Sequence, residues 1–465
     1  MNFQPIPLFG IGNQGKSANA SAQKRVNLYV EVQKDAEKHI VTMYPTAGLI
    51  GFADIGSTPI RGVYETNDAA FVVHQSTLYK VLNNGSYSAK GSLVTNSNRV
   101  DIAFNGTQLL IVDGANGYTF NVNTEVFAKI VDPDFPGADT CTFKDGFFII
   151  NKPNSGQFYI STLYDGASWD ALDFATDESS PDNIVRVFED GGDLIIFNER
   201  TTGFYGNSGA VDFPFSRIGS SSLEWGLAAR WSLCKFMDSV IYLRKNRLGQ
   251  AQVCMQSGTN VTAVSNTDMD TVMAGYTNIA DATAFSYMLG GHPFYQINFP
   301  SAGESWLFDG QSQSWSKLES SGGRHRAEML FNLVNKPYVT DYENGKIYRL
   351  DPDTYTDNGA FVVREFTSRH QSTGNYSRLA KVWLEMEAGV GLQTGQGSNP
   401  KIMMTVSKDG GKTFSNEQWR EFGKVGEYNA RPQWNRLGRA RDWVFKFRVT
   451  DPVKTVFLQA WGQYG

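Results

Sequence analysis

Short apolar runs, each ended by a tight turn and answered by an aromatic strand, recur along this chain. The unit is plainest in "FFIINKPNSGQFYI" (147–160), where an apolar strand stops at Asn151, a Lys-Pro-Asn-Ser-Gly connection follows, and the returning strand carries Phe158 and Tyr159. That pattern predicts a β-hairpin. The same unit is found at "AAFVVHQSTLYKV" (69–81), "QLLIVDGANGYTFNV" (108–122), "DLIIFNERTTGFYG" (193–206), "SVIYLRKNRLGQAQVCM" (239–255), "PFYQINFPSAGESWLFD" (293–309) and "KPYVTDYENGKIYRL" (336–350), making seven copies. Marked on the second strand at Tyr79, Tyr118, Tyr159, Tyr205, Val253, Trp306 and Tyr348, the copies are 39, 41, 46, 48, 53 and 42 residues apart. Between them lie further short β-like segments, such as "RVDIAF" (99–104), "DNIVRVFED" (182–190) and "ATAFSYML" (282–289).

A lone hairpin is barely stable in water and needs neighbours. A period of about 40–50 residues with roughly four strands per repeat is the signature of a β-propeller blade, whose two apolar faces only adjoining blades can cover. The predicted fold is therefore all-β: a propeller, with seven blades favoured and six or eight allowed by the irregular fifth and sixth repeats. A stack of β-sandwiches is the competing arrangement of the same strands. The repeat stops near Asn358-Gly359. Beyond it, "RDWVFKFRV" (441–449) puts Phe445, Phe447 and Val449 on one face and Lys446 and Arg448 on the other, as a half-buried strand requires. The expected domains are residues 1–57, an N-terminal arm whose "RVNLYVEV" and "HIVTMYP" stretches supply ring-closing strands; residues 58–360, the propeller; and residues 361–465, a β-sandwich-like module.

Composition fits this picture and adds one asymmetry. Hydrophobic residues at 41% and charged residues at 19% describe a globular chain, and 13% aromatics with 46 glycines suit short strands joined by tight turns. The net charge of −5 argues against a chain that coats nucleic acid through bulk electrostatics. Yet residues 361–465 hold 16 basic against 9 acidic side chains, a surplus of +7 that leaves −12 for residues 1–360. Opposite signs suggest contacts between domains or copies. Cys141, Cys234 and Cys254 are scattered through strand-like stretches, which predicts buried free thiols. The N-terminus shows no signal-peptide pattern and no run of 18 apolar residues occurs, so no membrane anchor is expected.

Several motifs resemble chemistry. "GIGNQGKS", Gly10 to Ser17, satisfies the phosphate-loop pattern G-x-x-x-x-G-K-[ST]. That loop works between a buried strand and a helix, whereas here two prolines precede it and a strand-like segment follows, so an exposed arm is expected. "SKDGGKTF" (407–414) matches the Asp-box turn through Ser407, Asp409, Gly411, Thr413 and Phe414. Such boxes resemble those on sialidase blades, but a single copy outside the repeats reads as a turn. The five histidines show no metal-ligand spacing, "DPDTYTDNG" (351–359) lacks the spacing of a calcium loop, and no paired carboxylates can be singled out for glycoside hydrolysis. No catalytic set, metal site or cofactor site is expected. The candidate interaction residues are Arg431, Trp434, Arg436, Arg439 and Arg441 in "ARPQWNRLGRARDW" (430–443), since arginine and tryptophan favour interfaces.

Longer stretches carry a resemblance. "AQKRVNLYVEV", "MYPTAGL", "DPDFPGADTCTFKDGFFIINKPNSGQFYIS" (132–161), "SWDALDFATDESSPDNIV" (168–185), "DYENGKIYRLD" (341–351), "LEMEAGVGLQTGQG" (384–397), "SKDGGKTFSNEQW" (407–419) and "RLGRARDWVFKFRVTDPV" (436–453) resemble, in order over most of the chain, the packaged-DNA stabilisation or tail-hub proteins of short-tailed bacteriophages. The resemblance implies a structural virion protein of the tail, made in the host cytoplasm, and not an enzyme. It implies a homo-hexameric ring below the portal-adaptor protein that closes the head after packaging and attaches a tail needle and tailspikes or fibres. Direct DNA contact is not implied: the negative first 360 residues would repel phosphates. The basic C-terminal module is the part that could face DNA, and an acidic neighbour accounts for its charge as well. The alternative reading is a tail-associated glycan-binding or sialidase-like glycosidase propeller.

Overall fold

A computed structural model describes residues 2–8, 17–32, 41–177, 182–246 and 249–465. The phosphate-loop-like residues Gly10–Lys16 lie outside the described residues, as does His39.

Apolar runs such as "AAFVV" and "QLLIV" become the second strand of a four-stranded antiparallel sheet. The first sheet comprises Ile60–Glu65, Ala69–His74, Thr77–Leu82 and Tyr87–Ser92. Those that follow begin at Asp101–Phe104, Cys141–Lys144, Ile184–Asp190, the split edge Gly226–Leu227 and Cys234–Phe236, and Thr283–Leu289, and a last one begins at Ala327–Leu333. Each predicted hairpin is the second and third strands of a blade, and the stretches between hairpins supply the first strand, next to the axis. These second strands are apolar throughout because both faces of the sheet are covered. In the first blade, Phe71 and Val73 pack toward the next blade with Leu109 and Ile111, while Ala70 and Val72 pack toward the last blade with Phe331 and Ile347. Comparable apolar clusters fill the gaps between all neighbouring sheets of the described residues, closing the circle of seven.

Three of the tyrosines that mark the repeats have a polar reason to recur. Tyr118, Tyr205 and Tyr348 are buried, and their hydroxyls donate to Asp113, Asp177 and Asp341 at 3.0, 3.1 and 2.7 Å. A buried hydroxyl without such a partner would be costly.

The N-terminal segment departs from the expected division at residues 1–57. Gly48–Asp54 joins the ring, pairing with Lys346–Asp351 as the outer strand of the last blade. Asn2–Ile6, Leu28–Val32 and Val41–Pro45 belong to the β-sandwich instead, attached directly or through one another to Phe457–Tyr464. The sandwich is therefore built from both ends of the chain, while the propeller closes by pairing the two ends of its own continuous stretch.

Gln433–Val449 runs through both sandwich sheets. Its first part pairs with Gln371–Met386, and its second part pairs with Lys401–Ser407 and Arg364–Thr367. The core between the sheets holds Trp434, Trp443, Phe445, Phe447, Phe366 and Phe457. Arg25–Val26 joins the domains, pairing in parallel with Lys317 of the sixth blade and antiparallel with Glu365 and Phe366 of the sandwich. Beside it the buried Asn27 takes a left-handed φ of 54°, which asparagine tolerates. Its side chain donates to the carbonyls of Glu319 and Val363 at 2.9 and 2.8 Å and accepts from the Glu319 amide at 2.9 Å. One amide group thus ties the arm, the sixth blade and the sandwich together.

Candidate interaction surface

The arginine-rich strand shows which side chains are available to a partner. Trp434 is not: it is wholly buried, edges toward Phe447, and donates its indole N–H to the Gln418 carbonyl at 2.9 Å. Its expected role at an interface is corrected to one in the sandwich core. The four arginines are exposed. Arg431 lies 3.5 Å from Glu385. Arg436 sits at a register shift between Asn435 and Gly438, with a left-handed φ of 60°, and Gly438 follows at 94°. Such a bulge bends the strand and re-aims its side chains, so simple alternation does not hold through Arg436. Arg439 lies directly across from Arg378, also exposed, and Arg441 lies over the ring of Tyr376 at 4.7 Å.

Arg378 and Lys408 are additions that the strand's own sequence did not reveal. Lys408 lies 5.4 Å from the centre of the Trp443 ring and belongs to the turn that matches the Asp box. In that turn Asp409 accepts from the Ser407 hydroxyl at 2.6 Å, and from the Thr413 hydroxyl and amide at 2.6 and 3.0 Å. These bonds, with that of Ser407 foremost, hold the Asp409 carboxyl far below the usual carboxylate range. The carboxylate is spent on the turn itself, which projects Lys408 toward the arginine strand. Burial pushes the Cys234 and Cys254 thiols each up to about 12 and raises that of Cys141 as well, which disfavours the reactive thiolate.

Arg378 opposite Arg439 is a like-charge cross-strand pair, which destabilises a sheet. Arg439→Glu should convert it into an attractive pair and raise stability by up to about 1 kcal/mol, measured as the urea midpoint of the full chain. An unchanged or lower midpoint would mean that solvent already screens the repulsion.

Comparison with protein families decides what scaffold carries this surface. A model described as Bacteriophage P22 Gp10, beta-propeller, matches residues 4–355, and one described as Bacteriophage P22 Gp10, beta-sandwich, matches residues 364–461. The chain belongs to the Bacteriophage P22 Gp10 family. It is a phage structural tail protein with the propeller and sandwich of that family. No curated protein matches the chain. Similar solved structures include the extracellular domain of a hybrid two-component system protein, BT4673, from B. thetaiotaomicron, at 9% identity and a TM-score of 0.45. That match covers 72% of this chain, which spans only 43% of the other. Another is YCF48 bound to D1 peptide, at 11% identity and a TM-score of 0.43, covering 66% of this chain and 96% of that one. The designed protein Ika8 matches at 11% identity and 0.39, covering 70% and 99%.

Proposed function

We propose that this Gp10-family chain is a tail-hub subunit that closes the head after DNA packaging. The observation that carries the reading is the succession of both Gp10 modules over nearly the whole chain. In this reading six copies form a ring beneath the portal-adaptor protein and present attachment surfaces to a tail needle and to tailspikes or fibres. The junction through Arg25–Val26 and Asn27 supports it, because a hub must carry load without its domains separating. The exposed Arg378, Arg436, Arg439 and Arg441 suit an acidic surface on a neighbouring subunit or adaptor, as the opposite charges of the two parts of the chain allow. The chain acts by docking, not by catalysis, and its lone Asp box serves as a turn.

Stopping translation of this gene early in an otherwise intact phage, then imaging the lysate by electron microscopy, tests the reading. Heads that package and then leak, without a hub, are expected. Full, tailed particles that fail only to bind or digest the cell surface would overturn it in favour of a glycan-directed propeller.

A further inference from the structure

The axis of the propeller is lined by the first strands of its blades, and one group there lacks what its charge requires. A cavity of about 240 Å³ is bordered by Arg99, Asp101, Arg186, Trp231 and Cys234. Arg99 also borders a wider funnel of about 670 Å³, so it stands where the funnel meets the inner cavity. Its guanidinium carbon lies 4.6 Å from the centre of the Trp231 ring, and that of Arg186 lies 5.2 Å from the same ring. Two guanidinium groups therefore converge on one indole inside the ring of blades.

The other cations around this cavity have acceptors. Arg230 reaches Asp139 at 2.9 Å, and Arg324 engages Glu328 at 2.6 Å through Nη2, though its buried Nη1 has no hydrogen-bond partner among the described residues. Arg61 is taken up by loop carbonyls, including those of Asn98, Gln75 and Thr95. Arg186 donates to the carbonyls of Arg230 and Leu233 at 3.1 and 3.4 Å and stands 3.8 Å from Asp101, yet its buried Nε has no hydrogen-bond partner among the described residues. Arg99 has less: its buried Nη1 has no hydrogen-bond partner among the described residues. Burial lowers its pKa to about 10. The indole face compensates part of the lost hydration, but it cannot satisfy N–H donors. Glu328, whose field reaches Arg99, is already held by Arg324.

We propose that the propeller axis is an anion site in which a phosphate-sized oxyanion is held between Arg99 and Arg186 beside Trp231. Both guanidinium groups border the cavity, neither has all its donors taken up by the protein, and two such planar forks match the several acceptor oxygens of such an anion. The ligand would bridge the first strand of the fourth blade and the segment entering the second, and so brace the ring from inside. Because it binds the folded chain, it would raise stability with concentration.

Thermal unfolding of the full chain in inorganic phosphate, against sodium chloride at matched ionic strength, tests the site. The midpoint is expected to rise with phosphate and saturate, with calorimetric titration giving one site per chain. Arg99→Leu should remove the phosphate-dependent rise while unfolding, without phosphate, at or above the wild-type temperature, because a guanidinium with an unsatisfied buried N–H has gone. Arg99→Lys keeps the charge but loses the fork and should weaken phosphate binding at least about tenfold. Coincident wild-type curves in the two salts would overturn the proposal, as would an undiminished phosphate shift in either variant.

Discussion

Gly48→Val should open the propeller ring and cost about 3 kcal/mol or more, at the upper end of overpacking penalties. Gly48 starts the strand through which the beginning of the chain completes the last blade, and it pairs with Asp351. A Cβ at this position would press on the carbonyl oxygens of Thr354 and Thr356, coming within 2.6 Å of the latter. Both belong to backbone that folds over the strand: Asp357 pairs in parallel with Leu49, and the Asn358 amide donates to the Leu49 carbonyl at 2.7 Å. The obstruction cannot swing aside as a flexible side chain would. Backbone must move, and the strand that joins the two ends of the propeller must move with it. Urea unfolding gives the cost, and hydrogen exchange locates it: faster exchange is expected in Lys346–Asp351, while Gln433–Val449 of the sandwich stays protected. Gly323→Ala is the control, since its nearest neighbour would be the Ser320 carbonyl oxygen at 3.9 Å. Wild-type stability in Gly48→Val would show that the closing strand accommodates bulk and does not limit the ring.

Trp434→Ala should destabilise the sandwich by about 3–5 kcal/mol, the range for emptying a large aromatic site in a core. The indole is fully buried with Phe447 and the rest of the sandwich core, and its removal also leaves the Gln418 carbonyl without its donor. Trp434→Phe restores most of the volume but not the N–H, so it should lose less. The comparison with Arg439→Glu is direct, because both residues belong to one strand and one was grouped with the other by composition. If Trp434→Ala proved as mild as a surface change, the tryptophan would have to be a contact residue after all. The measurement is denaturant unfolding of the full chain, followed by near-ultraviolet circular dichroism to report loss of aromatic packing.

The repeating hairpins were legible because propeller blades are covered on both faces. That burial leaves an apolar run on each second strand, and three buried tyrosines of third strands, Tyr118, Tyr205 and Tyr348, answer to nearby aspartates, so the period survives without a shared sequence motif. The sandwich strand after Arg441 was legible for the complementary reason: Phe445, Phe447 and Val449 are buried while Lys446 and Arg448 are only partly so, an alternation that a half-covered strand writes into its residues. The family resemblance rested on long ordered stretches and agreed with both Gp10 matches.

What the residues did not disclose depends on pairing between distant parts of the chain. Gly48–Asp54 and Asn2–Ile6 look alike as short strands, yet one completes a blade and the other extends the sandwich. Backbone hydrogen bonds carry no label for a partner some 300 or 450 positions away. Trp434 was grouped with its arginines because composition does not register which face a residue takes; it lies an odd number of positions from Arg431, Arg439 and Arg441, and the left-handed turn at Arg436 brings that arginine to the outside as well. Arg99 is the extreme case. It sits in the unremarkable "NSNRV", and only the closing of the ring brings it to Trp231 and Arg186. Local periodicity therefore determined that blades form and which faces they bury. Tertiary structure decided which strands complete them and which charges are left facing one another.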